Sequence, residues 1–126
     1  MSKLKFIDLF AGIGGFHLAL HSLGAKCVFA SEIDKYARKT YYENFHKISP
    51  NIFKEDNFNE DITKIEPHKI PDFDILCAGF PCQPFSQAGY KKGFSDTRGT
   101  LFYDIARIID NKKPKAFFLE NVRHLI

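Results

Sequence analysis

The sequence predicts an α/β fold, a parallel sheet with helices on both faces. Three observations carry this. Short apolar runs of the kind buried parallel strands use recur at residues 5–10, 26–31, 74–78 and 115–119. Stretches with helical periodicity follow most of them. The first run opens into the glycine turn Ala11-Gly12-Ile13-Gly14-Gly15 and then a helix, an arrangement that lets a ligand approach the backbone at a helix N-terminus.

Composition sets the outer bounds. A chain of 126 residues suits one domain or a piece of a larger one, and 44% apolar content with 14 Phe and no Trp supplies a phenyl-rich core. The formal charge of +3 permits contact with nucleic acid without arguing for it. Three cysteines, an odd number at irregular spacing, make no disulfide framework and point to a reducing, cytoplasmic compartment. No apolar run approaches the roughly 18 residues that would span a bilayer, so no membrane partner is expected.

In the first helix, Phe16, Ala19, Leu20 and Leu23 share one apolar face, and Gly24 is a natural stop. His17 and His21 are spaced i, i+4 but lie off that face without a third ligand. They are expected on the solvated side, and no metal site is expected. Gly12 and Gly14 begin the fingerprint G-x-G-x-x-G, yet His17 stands where the third glycine belongs, which disfavours a dinucleotide.

The second strand ends at Glu32-Ile33-Asp34. Glu32 lies 20 residues after Gly12, where an acid commonly accepts hydrogen bonds from ribose hydroxyls. Asp34 can cap a helix over 35–45 that turns Ala37, Tyr41 and Phe45 inward. From His46 to Glu66 the pattern reads as loop, with a short strand near Asn57-Phe58 and Asp61-Ile62 closing the segment.

The fourth strand runs through Cys77 into Gly79-Phe80-Pro81-Cys82-Gln83-Pro84. Two prolines fix φ on either side of Cys82 and are expected to end the ladder, leaving a cysteine in a stiff turn where open α/β sheets place chemistry. Cys77, inside the strand, is expected to be an inert buried thiol. The long loop over 87–99 carries Lys91, Lys92 and Arg98, which can meet phosphates. Thr100 opens a helix to about Asp110 with Leu101, Phe102, Ile105, Ile108 and Ile109 buried. A last buried strand ends in Glu120-Asn121-Val122.

Six segments, in order, resemble the amino-terminal motifs of the cytosine-C5 DNA methyltransferases. They are Asp8-Leu9-Phe10-Ala11-Gly12-Ile13-Gly14-Gly15, Glu32-Ile33-Asp34, Asp61-Ile62, Gly79-Phe80-Pro81-Cys82-Gln83, Arg98-Gly99-Thr100-Leu101-Phe102 and Glu120-Asn121-Val122. The resemblance implies S-adenosylmethionine as cofactor and double-stranded DNA as substrate, in the setting of restriction-modification. It implies Cys82 as the thiolate that adds to carbon 6 of cytosine and Glu120 as the group at ring nitrogen 3. Asp8, Phe10, Ala11, Gly12, Ile13, Gly14, Glu32, Ile33, Asp61, Ile62, Gly79, Pro81 and Leu101 would surround the cofactor, with Glu32 on the ribose, Ile33 on the adenine and Asp61 on its amino group. Gln83, Ser86, Gln87, Lys91, Lys92 and Arg98 would face DNA.

The family fold implies a Rossmann-like sheet in the order 3-2-1-4-5, and strand–helix alternation with right-handed crossovers agrees. Residues 1–126 then make a partial catalytic domain without a target-recognition domain. The expected states are a fragment, one subunit of a split enzyme or a truncated product. A carboxyl-terminal part or second subunit would be needed, or the open sheet edge would self-associate. A transfer-RNA methylating relative, a non-catalytic binding module and a nicotinamide oxidoreductase are the competing readings.

Overall fold

The computed structural model describes residues 3–81 and 101–122; the side chains of residues 80, 81, 101, 121 and 122 fall outside that description. Five strands, β1 (Lys5–Leu9), β2 (Lys26–Ser31), β3 (Phe58–Asn59), β4 (Ile75–Pro81) and β5 (Ala116–Val122), form one sheet in the order β3-β2-β1-β4-β5. Every pairing is parallel. Phe6 lies opposite Ile75, so β1 and β4 are neighbours as expected. The sheet order reverses between them, and open α/β sheets bind ligands beyond the strand ends at such a point.

Successive residues of β1 face opposite sides. Phe6 joins Cys27, Ala30, Tyr41, Phe45 and Ile52 on the face covered by α2 (Lys35–Phe45) and α3 (Pro50–Lys54). Ile7 and Leu9 join Leu76, Ala78, Ile105 and Ile108 on the face covered by α4 (Leu101–Lys112). The register of β1 and β2 slips by one residue at Val28, so Val28 and Phe29 both serve the α4 core. Asp34 caps α2 as expected, its Oδ2 accepting from Ala37 N at 2.8 Å.

Five local expectations are corrected. In α1 (Gly15–Ser22), His17 is fully buried while Leu18 and Leu23 are 60% and 80% exposed. The imidazole goes inward because partners await it. Its Nδ1 lies 2.6 Å from Tyr41 Oη, its Nε2 lies 2.9 Å from Ser49 Oγ, and its ring stacks on Phe45 at 3.9 Å. Residues 50–54 are helical, since a proline at the first helical position gives up only an amide that would have had no intrahelical acceptor. β4, read as a strand over 74–78, runs on through Gly79 and Phe80 to Pro81, which pairs with Val122. β1 stops at Leu9 opposite Ala78, so the end of β4 has one neighbour and tolerates proline on its open side.

Phe102, expected inside, is 42% exposed. It lines a groove with Ile109, Phe117 and Leu119. β5, expected to be buried, leaves Phe117, Phe118 and Leu119 at 52%, 51% and 37% exposure, because among the described residues nothing lies beyond it in the sheet.

Candidate cofactor and active site

The turn after β1 is built from backbone states that few residues adopt. Phe10 has φ 52°, Gly12 +59° and Gly14 +102°. For a non-glycine such as Phe10 the left-handed state costs about 1–3 kcal/mol, which the packed strands on either side must outweigh. Gly14 is required for a second reason. A Cβ there would stand 2.0 Å from Phe45 Cε2, so only glycine lets the start of α1 close onto α2. Gly12 differs: an added Cβ would meet nothing within 4 Å, so its side faces open space.

That space is a cavity of about 470 Å³ at the carboxyl ends of β1, β2 and β4. Phe10, Gly12, Ile33, Ile62 and Gly79 line it, with Ser31, Glu32, Glu60, Asp61 and Thr63. The lining is mostly apolar with a few carboxylates, and the size falls in the range of small-molecule sites. Glu32 reaches across the turn: its Oε1 accepts from Gly12 N at 2.7 Å and its Oε2 from Asp34 N at 2.9 Å. Each carboxylate oxygen keeps a lone pair for a ligand hydroxyl. Asp61 begins a short 3-10 turn, and its Oδ1 accepts from Thr63 N at 3.0 Å and Thr63 Oγ1 at 2.6 Å. Those bonds, the hydroxyl first, hold its carboxyl below the usual carboxylate range, so it is an acceptor at neutral pH.

Glu120 arrives from the other side. The parallel register sets it opposite Gly79 on β4, and an added Cβ at Gly79 would stand 3.7 Å from Glu120 Oε1, 3.8 Å from Phe16 and 4.0 Å from Phe10 O. Gly79 is thus the thin partition between the cavity and a shallow groove lined by Phe16, Ala19, Phe118 and Glu120. Two residues beyond Glu120, Val122 pairs with Pro81, the residue immediately before Cys82 in the sequence.

Of the sequence-predicted cofactor residues, Phe10, Gly12, Glu32, Ile33, Asp61, Ile62 and Gly79 come together at the cavity. Ala11, Ile13 and Gly14 shape its turn from behind. Ala11 N donates to Ser31 O at 2.9 Å, Ile13 O accepts from Asn44 at 3.2 Å, and Gly14 packs on Phe45. Asp8 is buried on the α2 side of β1 and accepts from Tyr41 Oη at 3.0 Å. The backbones of Pro81 and Leu101 close β4 and open α4. Cys82, Gln83, Ser86, Gln87, Lys91, Lys92 and Arg98 lie outside the described residues. Sequence reasoning missed Ser31, Glu60 and Thr63. The Asp-x-Thr spacing of a side-chain turn was the one available signal for Thr63.

A family model described as C-5 cytosine-specific DNA methylase matches residues 4–126. The chain belongs to this family. Relatives include the Type II methyltransferase M.HhaI of Haemophilus parahaemolyticus, 56% identical over 124 residues, covering 98% of this chain and 35% of that protein. The Type II methyltransferase M1.ScrFI of Lactococcus lactis subsp. cremoris is 59% identical over 125 residues, covering 98% of this chain and 30% of that one. The chain therefore spans about a third of the length of the curated relatives it matches. Among solved structures, the S. pombe Dnmt2 methyltransferase superposes with a TM-score of 0.68 at 25% identity, covering 98% of this chain and 37% of that one. An E. coli prophage protein assigned as a DNA modification methyltransferase gives 0.72 at 29% identity, covering 95% and 32%. Among the described residues no helix is long and apolar enough to cross a membrane.

Behind the cavity lies a buried polar chain, Asp8–Tyr41–His17–Ser49, whose Asp8 Oδ1 has no hydrogen-bond partner among the described residues. Burial pushes the Asp8 carboxyl up to about 8 from 3.8; the Tyr41 hydrogen bond opposes the shift and the Glu32 charge adds to it. Burial, with His21 nearby, lowers His17 to about 4 from 6.5. Asp8 is protonated in the folded state where the unfolded chain has lost its proton, so its contribution to stability is lost as pH rises toward 8. His17 must shed a proton to fold, so its contribution is lost as pH falls below 6.5. The two oppose each other at acid pH, and between pH 6.5 and 8 Asp8 acts alone. The expected result is a stability that falls there by up to about 1.4 kcal/mol per pH unit. Urea unfolding at several pH values measures it. Asp8→Asn should flatten the slope, and a slope unchanged in that variant would assign it elsewhere.

Proposed function

We propose that the complete protein transfers a methyl group from S-adenosylmethionine to carbon 5 of cytosine in double-stranded DNA. The observation that carries this is the register of β4 and β5, which brings Glu120 to the cavity partition at Gly79, two residues from the end of the strand that leads into Cys82.

The cavity fits the cofactor in volume and in donor set. Glu32 would take the ribose hydroxyls, Phe10, Ile33 and Ile62 would cover the adenine, and Asp61 would accept from its amino group. When bound, S-adenosylmethionine supplies an electrophilic methyl group. The residues of the chain make cytosine able to receive it. Carbon 5 is a weak nucleophile, and addition of the Cys82 thiolate to carbon 6 moves electron density onto it. Glu120 at ring nitrogen 3 neutralises the charge that the addition places there. After transfer to carbon 5, loss of the carbon 5 proton and departure of Cys82 from carbon 6 restore the ring and the thiolate. The base must leave the duplex to be reached. Lys91, Lys92 and Arg98 would meet phosphates, with Gln83, Ser86 and Gln87 beside the target strand.

The exposed apolar flank of β5 supports further polypeptide beside it, from the same protein or a second subunit. A mixture of methyl-labelled S-adenosylmethionine and duplex DNA tests the whole reading. Full-length protein should label carbon 5 of cytosine, while residues 1–126 alone should not. Label on transfer RNA but not DNA, or robust transfer by residues 1–126, would overturn it.

A further inference from the structure

The cavity wall formed by residues 60–63 has little regular structure of its own. Only Phe58 and Asn59 pair with the sheet, and a single 3-10 turn over Ile62–Lys64 follows. A wall of this kind keeps its shape only if something outside it fixes its backbone. Two arginines do so. From α2, Arg38 Nη1 donates to Glu32 O at 2.9 Å and to Asn59 O at 2.8 Å, while Nη2 donates to Phe58 O at 3.2 Å. Its guanidinium lies 4.0 Å above the Phe58 ring. From α4, Arg107 Nη1 donates to Ile65 O at 2.8 Å and Nη2 to Ile62 O at 2.7 Å, and Nε pairs with Asp104 at 3.0 Å.

The acceptors bracket the wall. Arg38 holds its entry at 58 and 59 and Arg107 its exit at 62 and 65. Arg38 also joins the two sides of the cavity, because one nitrogen serves both Glu32 O and Asn59 O; the Ser31 hydroxyl repeats the link on Asn59 Oδ1 at 2.7 Å. We propose that Arg38 and Arg107 are positioning residues, which set the spacing between the Glu32 side and the Asp61 side of the cavity and thereby the affinity for the adenosyl cofactor. This rests on the cofactor reading of that cavity. Neither side chain lines the cavity. A planar fork with several fixed donors is needed to span two or three carbonyls, which a lysine ammonium on a flexible stem cannot do.

The test is calorimetric titration of full-length protein with S-adenosylhomocysteine, together with steady-state methyl transfer. Arg38→Lys and Arg107→Lys should each weaken binding about tenfold, since the ligand must then order the wall itself. The KM for S-adenosylmethionine should rise with it while kcat at saturating cofactor stays within about twofold, because ordering lost from the free site is lost from ground and transition states alike. A purely structural role would lower the folded fraction and kcat together. Should a lysine variant not fold, Phe58→Leu removes the ring under Arg38 and keeps every acceptor. It should weaken binding by about twofold to threefold. Unchanged affinity in folded variants, or a fall in kcat with KM unchanged, overturns the positioning role. Wild-type protein that binds no S-adenosylhomocysteine overturns the cofactor reading instead.

Discussion

Cys82→Ser in the full-length protein is expected to abolish covalent capture of duplex DNA carrying 5-fluorocytosine. Fluorine at carbon 5 leaves no proton to remove after methyl transfer, so a wild-type enzyme that has added its thiolate to carbon 6 stays attached. A serine hydroxyl is a far weaker nucleophile at neutral pH, and no group in this chain is proposed to activate it. The adduct should therefore vanish from a denaturing gel. Affinity for S-adenosylhomocysteine should stay near the wild-type value, because the residues that line the cavity come from the ends of β1, β2 and β4 and from the 60–63 wall. An adduct that survives the substitution would remove Cys82 from the nucleophile role.

Glu120→Gln should slow methyl transfer by about 10²- to 10⁴-fold, the usual contribution of a positioned proton-handling group. Glutamine keeps the shape but offers an amide in place of a carboxyl group at ring nitrogen 3. The side chain is exposed at the edge of the described sheet, so folding should be little affected. Single-turnover methyl transfer and thermal melting read the two effects separately. A rate within threefold of wild type would end the assignment, and so would a loss of rate explained by unfolding.

Much of this fold was legible because its strands are buried between helical layers. Such strands write themselves as continuous apolar runs such as Phe6-Ile7 and Cys27-Val28-Phe29-Ala30. Most of the cavity was legible too, since Gly12, Glu32, Asp61 and Gly79 sit at the carboxyl ends of strands or in the turns beyond them. What escaped was decided by partners far along the chain. His17 reads as a surface residue until Tyr41 and Ser49 are brought to it, 24 and 32 residues away. Nothing in the sequence singles out Arg38 or Arg107, because carbonyls at 58, 59, 62 and 65 have no sequence signature. Periodicity likewise placed the inward face of α1 only in part: Leu20 packs on the core as read, Ala19 and Leu23 are exposed, and the polar residue with waiting partners took the centre. The exposure of β5 escaped for a different reason, since an apolar run announces burial but not what does the burying.

The position of β5 has a consequence for how the molecule breathes. β1 is hydrogen-bonded on both sides, and Phe6, Ile7 and Leu9 are fully buried, whereas among the described residues β5 bonds to β4 alone with its apolar side chains open to water. Local opening free energy therefore falls from the centre of the sheet toward β5, and amide exchange should be slower in β1 than in β5. The candidate cavity draws Phe10, Gly12, Ser31 and Glu32 from the ends of the central strands β1 and β2, and Glu120 stands on β5. In chain 1–126, the carboxylate proposed to meet the base rides on a strand that opens more readily than the centre of the sheet. A polypeptide laid against β5 would thus do more than hide phenyl rings: it would set how much of the time that carboxylate stands in place.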